Sequence, residues 1–225
     1  MKHTFKLLAA AAVMALLAFP VQAHEKGDWI FRAGVGVVAP DNPVYSETDV
    51  EVGTLNVEVD DGTSLTLMGT YMFTENWAFD ILAAWPFAHD ASLVADGVSV
   101  PLASFDHLPP TFSFQYHFLP TGKFQPYVGL GLNYTTFFSI DIDPNLSDAL
   151  GLKGLTVDLD LDDSFGVAAQ VGADIMINER WLFNVDLRYI DLQTDATLSI
   201  DGVADDPIAL DVNPWVYSLN VGYKF

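Results

Sequence analysis

The last thirteen residues of the chain, 213–225, restrict its fold more than any other stretch. Their side chains alternate between an apolar face and a mostly polar face, as in a β-strand. The apolar face consists of Trp215, Tyr217, Leu219, Val221, Tyr223 and Phe225. Aromatic residues at both ends of such a face, with aliphatic residues between them, are typical of a strand that crosses a bilayer with aromatic girdles at the two interfaces. We therefore predict a membrane-spanning strand here.

The composition is consistent with only a few architectures. The chain is 51% apolar and its mean hydropathy is +0.27. One long apolar run extends from Leu7 to Val21, and no later run approaches the ~20 apolar residues that a spanning helix needs. The remaining apolar residues must therefore be distributed by alternation, which leaves a soluble all-β sandwich or a membrane barrel.

Charge and cysteine content exclude further classes. The net charge is −21, whereas a protein that binds nucleic acid presents a basic face to the phosphates. We therefore expect no nucleic-acid partner. The chain has no cysteine, so its stability must come from hydrogen bonding and packing rather than from disulfides.

The first 23 residues predict a secretory signal peptide. A short basic start precedes the apolar core Leu7 to Phe19, and Val21-Gln-Ala23 forms a small-x-small cleavage signal. A single anchoring helix is the alternative, but the apolar run is short for that role. Cleavage after Ala23 would leave one outer-membrane β-barrel domain, residues 24–225.

Eight segments of the remaining chain alternate in the same way as the last one. They are 28–38, 64–73, 77–87, 111–119, 126–138, 164–177, 181–190 and 213–225. Short turns follow the second, fourth and sixth segments, and long connections follow the first, third, fifth and seventh segments. This pattern predicts an all-β fold, an eight-stranded antiparallel transmembrane β-barrel with short periplasmic turns and four long extracellular loops.

The acidic residues are concentrated in the long connections. Of the 30 acidic residues, 23 lie in the stretches 40–63, 88–106, 139–163 and 191–212. A hydrated outer surface is the simplest interpretation, with loose ion bridging to lipopolysaccharide phosphates as an alternative. The acidic stretch 158–163 lacks the twelve-residue loop and glycine of a calcium site, so we predict no specific metal site there and no cofactor.

Short stretches throughout the predicted strands carry a family resemblance. They include Arg32-Ala-Gly34, Ala83-Ala-Trp-Pro-Phe87 with His89, His107-Leu-Pro-Pro-Thr111, Asn133-Tyr-Thr-Thr-Phe-Phe138 and Pro214-Trp-Val216. Together they resemble the OmpW/AlkL family, and the long connections 40–63 and 139–162 do not match closely. The resemblance implies a narrow barrel in the bacterial outer membrane that passes small hydrophobic molecules. A final strand ending in Phe225 also resembles the signal that outer-membrane barrels present to their assembly machinery.

Six charged residues point into the predicted barrel by alternation. They are Arg32, Asp80, Asp174, Asp186, Arg188 and Lys224. Side chains nearly fill an eight-stranded barrel, and unpaired charges in such a lumen are costly, so three bases and three acids should pair. The sequence therefore predicts a charge network in the lumen. A purely stabilising network without a role in transport is the alternative.

Apolar inward positions predict a pathway for a solute that opens between the outer connections. The candidate pathway residues are Val38, Pro40, Met68, Met72, Leu82, Phe137, Arg188 and Ile190. The leucines at positions 146, 150, 152, 155, 159 and 161 are candidates for its wall, with loop-on-loop packing as the alternative.

Two of the pathway residues bear on how a solute would leave. The resemblance implies a sideways exit, and Pro40 cannot donate a hydrogen bond to a neighbouring strand, so a slot could form there. The family carries an aromatic residue where this chain has Arg188. An ion pair at mid-barrel is therefore the alternative to an apolar constriction formed with Leu82.

Three functional classes follow from these patterns. The first is a channel for hydrophobic solutes, with membrane lipid and lipopolysaccharide as further partners. The second is an enzyme, but Ser113 and His117 are four residues apart on one strand, or roughly 13 Å, which is too far for a hydrogen bond. The third is a structural, receptor or stress-tolerance barrel. We predict the first and no enzymatic activity.

Overall fold

The computed structural model of the chain describes residues 24–49, 53–95, 97–119, 122–146 and 154–225. The predicted signal peptide lies outside these ranges. Within them, no helix has the length and apolar character needed to cross a membrane.

Strands dominate the described residues. In chain order they are β1 (Trp29–Ala39), β2 (Tyr45–Asp49), β3 (Gly53–Val59), β4 (Gly62–Met72), β5 (Trp77–Ala84), β6 (Phe87–Ala95), β7 (Val98–Leu108), β8 (Thr111–His117), β9 (Phe124–Ile142), β10 (Val157–Leu161), β11 (Ser164–Met176), β12 (Trp181–Ile190), β13 (Gln193–Ile200), β14 (Val203–Ala204), β15 (Ile208–Asp211) and β16 (Trp215–Lys224).

Eight of these strands close into an antiparallel barrel. The order around the barrel is β1, β4, β5, β8, β9, β11, β12 and β16, and β16 pairs again with β1. Each barrel strand corresponds to one of the eight alternating segments of the sequence. The predicted eight-stranded barrel is therefore confirmed.

The alternation of side chains produces an apolar outer surface and a polar lumen. Along β16, exposed and buried residues alternate from Trp215 to Val221, and Leu219 is 57% exposed. Aromatic rings pair across neighbouring strands at the short-turn end, as Trp29 with Tyr71, Trp77 with Tyr116 and Trp181 with Tyr223, at 4.9–5.0 Å between centroids. Tyr189 and Trp215 pair near the other end, 5.2 Å apart. These two levels correspond to the girdles of a membrane barrel.

The four long connections, predicted as loops, carry strands of their own. β2, β3, β6 and β7 extend the barrel wall as a sheet that joins the upper part of β9, with β2 as the last strand of the path. A second sheet contains β10, β13, β14 and β15. We call these strands, together with residues 136–142 of β9, the outer cap.

The apolar–polar alternation of the long connections explains why they form sheets. In β10, Asp158 and Asp160 are exposed, while Leu161 is buried. The acids therefore cover the surface of the outer cap and the leucines point between its two sheets, as expected for a strand with one solvated face.

Candidate functional site: an apolar cavity above a polar plug

The two sheets of the outer cap enclose a cavity of about 200 Å³. The sheet of β2, β3, β6, β7 and the upper part of β9 contributes Val57, Leu102, Phe105 and Phe137. The second sheet contributes Leu159, Leu161, Leu198 and Leu210, and the barrel rim contributes Val38, Pro40 and Pro214. Apolar walls from two sheets and the rim give an enclosure suited to an apolar molecule.

The predicted pathway residues fall on four levels. Val38, Pro40 and Phe137 line the cavity. Ile190 lies directly beneath it, in a buried cluster with Val38, Phe87, Ala168, Leu192 and Val216.

Of the six candidate leucines, Leu159 and Leu161 line the cavity. Leu155 is 42% exposed and Leu146 is buried, while the leucines at positions 150 and 152 lie outside the described residues.

Met68 and Leu82 lie deeper, inside the barrel. Both are buried, and Met68 is the register partner of Leu82 on one side and of Arg32 on the other. They therefore flank the charged centre of the lumen instead of lining the cavity.

Two predicted site residues lie at the short-turn end of the barrel. Met72 packs in a buried cluster with Ile30, Ala78, Met176 and Leu182. Because a strand rises about 3.3 Å per residue, Met72 is roughly 13 Å below Met68. Lys224 lies at the same end, with Nζ 3.3 Å from Asp28 Oδ2. The funnel position expected for Met72 is therefore corrected, since alternation gives the face of a strand but not the height along the barrel.

A hydrogen-bonded group of charged side chains fills the lumen beneath the cavity. Its charged members are Arg32, Asp80, Asp174, Asp186 and Arg188, and all five are buried. We call them, with their neutral partners, the polar plug. Arg32 binds Asp174 through two hydrogen bonds, with Nε 3.0 Å from Oδ1 and Nη2 2.5 Å from Oδ2. A bidentate pair of this kind is strong and fixed in direction.

Arg188 forms the second half of the polar plug. Its Nη2 is 3.4 Å from Asp80 Oδ2, and its Nε is 3.6 Å from Asp186 Oδ1. The Thr70 hydroxyl donates to Asp80 at 2.6 Å and accepts a hydrogen bond from Arg32. The two guanidinium groups are thereby joined through Asp80 into one network.

Neutral side chains complete the polar plug. Tyr127 donates its hydroxyl hydrogen to Asp186 at 2.8 Å, and Asn184 donates to Asp174 at 2.8 Å. Gly172 provides the room, because a Cβ at this position would overlap the Tyr127 ring. Sequence reasoning did not assign Tyr127 or Asn184 to the site, although the alternation of β9 and β12 turns both inward.

Comparison with known proteins agrees with this barrel architecture. The OmpW family model matches residues 25–225. This chain belongs to the OmpW family. It is 41% identical to outer membrane protein W of Vibrio cholerae over 229 residues, which covers 100% of both chains. It is 26% identical to the outer membrane protein AlkL of Ectopseudomonas oleovorans over 230 residues, or 97% of this chain and 92% of AlkL.

A solved structure agrees with this assignment. The crystal structure of OprG from Pseudomonas aeruginosa superposes with a TM-score of 0.78 and 37% identity, covering 91% of this chain and 99% of OprG. The present OmpW-family protein is therefore a bacterial outer-membrane β-barrel. Its family and structural neighbours are outer-membrane barrel proteins rather than enzymes.

Among the described residues of this OmpW-family barrel, one group has the side chains and spacing of a metal site. His24, His117 and Asp174 are all buried, and each offers a ligand atom within 4.8 Å of the other two. His24 Nε2 is 3.0 Å from Asp174 Oδ2, and the rings of His24 and His117 are 5.4 Å apart and nearly perpendicular. The group lies at the short-turn side of the polar plug.

Two further buried histidines lie in the wall of the cavity. His89 of β6 and His107 of β7 both line it, and their ring centroids are 4.8 Å apart. Burial lowers the pKa of His107 to about 3, with His89 adding to the effect. Burial also lowers the pKa of His89, partly opposed by its contact with the Asp60 carbonyl and by nearby carboxylates. Both rings are therefore neutral at pH 7, and this OmpW-family cavity carries no charge from them.

The low pKa of His107 predicts that acid destabilises the outer cap. In the unfolded chain a histidine titrates near 6.5, so between about pH 6.5 and 3 the unfolded state binds more protons than the folded state. Stability is full above about pH 6.5 and declines as the pH falls. Hydrogen exchange of the β6 and β7 amides, corrected for intrinsic rates, should show weaker protection at pH 5 than at pH 7.5. A His107→Gln variant should show a smaller dependence, and an identical dependence would contradict this assignment.

Proposed function

We propose that this protein is an outer-membrane channel for passive uptake of small hydrophobic molecules. The solute would enter the apolar cavity from the outer face and leave sideways into the membrane, above the polar plug. The observation that carries the proposal is the cavity of about 200 Å³, which two apolar sheet faces line at the outer end of the barrel. A concave, mostly apolar enclosure of this kind is the usual form of a small-molecule site.

The polar plug argues against a route straight through the lumen. Arg32 and Arg188 are almost completely buried and tied to carboxylates, so an apolar solute would have to break charge-assisted bonds to pass. Leaving a buried charge unpaired is costly, and an apolar molecule offers no replacement partner. A sideways exit avoids this cost.

Pro40 supports the position of a sideways exit. The pairing of β1 with β4 ends at Val38 and Gly62, and Pro40 follows β1 in the chain and lines the cavity. Successive N–H groups along β1 face β16 and β4 in turn, and the N–H of Asp41 donates to the Val212 carbonyl on the β16 side at 2.9 Å. Position 40 therefore faces the β4 side, where a proline has no N–H to donate. The wall thus lacks one donor where the cavity meets it.

The proposal is tested by uptake in cells whose outer leaflet contains lipopolysaccharide. Initial uptake of a medium-chain alkane, a terpene or an aromatic hydrocarbon is compared with and without the protein, and ion conductance is recorded in planar bilayers. Faster uptake with little ion current is the expected result. Unchanged uptake of every solute would contradict transport and favour a structural, receptor or stress-tolerance barrel. A large ohmic current would contradict closure by the polar plug.

Pro40→Val should reduce hydrophobic-solute uptake several-fold, because valine restores a donor where the wall lacks one. The matched control is Pro207→Val, since Pro207 is an exposed proline of the outer cap that does not line the cavity. Initial uptake rates of the two variants, normalised to the amount of folded protein, check this prediction. Equal rates in both variants would remove Pro40 from the exit.

We also infer two contacts of the protein with its surroundings. The acidic surface of the outer cap would meet lipopolysaccharide phosphates through bridging cations, because both surfaces are negative. The barrel assembly machinery would bind the last strand together with Phe225, which follows it. Cleavage of the predicted signal peptide after Ala23 belongs to the same export route.

A further inference from the structure

We propose that His24 and His117 bind a divalent transition-metal ion, Zn²⁺ or Cu²⁺, at the short-turn side of the polar plug, with Asp174 orienting His24. This site is separate from the cavity and independent of the proposed transport. The ion would hold the segment before β1 against β8 and β11, and so stabilise the lower end of the plug.

The hydrogen bond to Asp174 fixes the tautomer of a neutral His24 ring. A carboxylate can only accept, so the Nε2 of a neutral His24, 3.0 Å from Asp174 Oδ2, carries the proton. The lone pair then lies on Nδ1, which is buried and has no hydrogen-bond partner among the described residues. A histidine that donates one ring N–H to a carboxylate and presents the other nitrogen is the usual arrangement at metal sites.

His117 repeats this arrangement. Its Nε2 is 3.2 Å from the Gln115 side-chain oxygen, which accepts the ring N–H, and its buried Nδ1 has no partner in the described structure. Two imidazole nitrogens without partners thus occur on neighbouring, nearly perpendicular rings. Imidazole nitrogen suits Zn²⁺ and Cu²⁺, whereas Ca²⁺ and Mg²⁺ prefer oxygen.

The spacing is close to that of a metal centre. Zinc–nitrogen distances are about 2.0–2.1 Å, so the ligand atoms of one ion lie within about 4 Å of one another. One ring nitrogen of His24, one of His117 and one carboxylate oxygen of Asp174 lie within 4.8 Å of one another, so the two rings are close enough for a single ion to reach both after a small rotation.

The charge of the polar plug also favours a cation. Arg32 and Arg188 contribute two positive charges, and Asp80, Asp174 and Asp186 contribute three negative charges, which leaves one negative charge in excess. All five groups are buried, and a buried net charge is costly. A cation bound by two neutral imidazoles beside Asp174 offsets that excess.

The test is titration of ZnCl₂ into the full protein, purified from membranes in detergent and stripped of metal with a chelator. Calorimetry should show one Zn²⁺ per chain, and His24→Gln and His117→Gln should each weaken binding at least tenfold. His89→Gln is the matched control, because His89 is a buried histidine of the outer cap, outside this group. Heat-modifiable gel mobility establishes that each variant is a folded barrel.

A second measurement identifies the ligands. The Cu²⁺-loaded protein should give an electron paramagnetic resonance spectrum with hyperfine splitting from imidazole nitrogen, reduced in either variant. An absence of saturable Zn²⁺ binding to the wild type would overturn the proposal. Equal loss of binding in the His89→Gln control, or a spectrum with oxygen ligands alone, would overturn it as well.

Discussion

Replacing Arg32 with methionine is expected to lower the free energy of unfolding of the barrel by about 3–5 kcal/mol. Arg32 is 1% exposed and neutralises Asp174 through two hydrogen bonds, with Asp80 as a second carboxylate 3.9 Å away. Methionine fills much of the same volume but leaves Asp174 as a buried charge without its main partner. Urea unfolding of the protein in lipid vesicles, followed by tryptophan fluorescence, measures the change.

The matched control for this prediction is Arg180→Met. Arg180 is exposed at a short turn, where Nη1 is 3.1 Å from the Tyr223 hydroxyl. Exposed contacts of this kind contribute little, so the free energy of unfolding should change by less than about 1 kcal/mol. The double variant Arg32→Met/Asp174→Asn should be more stable than Arg32→Met, because it removes the orphaned charge. If the double variant lost as much free energy of unfolding as the two single variants lose together, the result would contradict a paired network.

Filling the cavity is expected to reduce uptake of hydrophobic solutes at least tenfold. Ala196 of β13 lines the cavity and is the register partner of Leu161 in β10, so Ala196→Phe would place an aromatic ring in the space available to the solute. β13 belongs to the second sheet of the outer cap and to none of the eight barrel strands, so the pairing of the barrel should be retained. Initial uptake of a radiolabelled aromatic hydrocarbon by cells gives the measurement.

Ala204→Phe is the matched control for the filled cavity. Ala204 lies on the exposed two-residue strand β14 and does not line the cavity. Its replacement introduces the same phenylalanine side chain outside the cavity. Its uptake should equal that of the wild type. Uptake that persists in Ala196→Phe at the wild-type rate would show that the solute does not pass through the cavity.

The barrel could be read from the sequence because each strand specifies its own two faces. Alternation in β16, from Trp215 to Lys224, needs no knowledge of any other strand to predict an apolar outer face. The same property predicted that Arg32 and Arg188 point inward. Height along the barrel is different, because it depends on register between strands, and Met72 was misplaced for this reason.

Contacts inside the outer cap and the polar plug required the folded structure. His24 meets Asp174 across 150 positions of sequence, and no local pattern relates the two residues. His89 and His107 come together only through the pairing of β6 with β7. The strands of the outer cap were overlooked because acidic residues between the apolar ones, as at Asp158 and Asp160, gave these segments the composition of loops.

The position of β2 has a consequence for crowding in the membrane. The last strand of a sheet can pair with the same strand of another copy unless its side chains oppose this. The exposed middle of β2 carries Glu47 between Ser46 and Thr48, on a chain whose net charge is −21. A negative side chain on this strand therefore opposes fusion of the sheets of two copies and favours separate molecules.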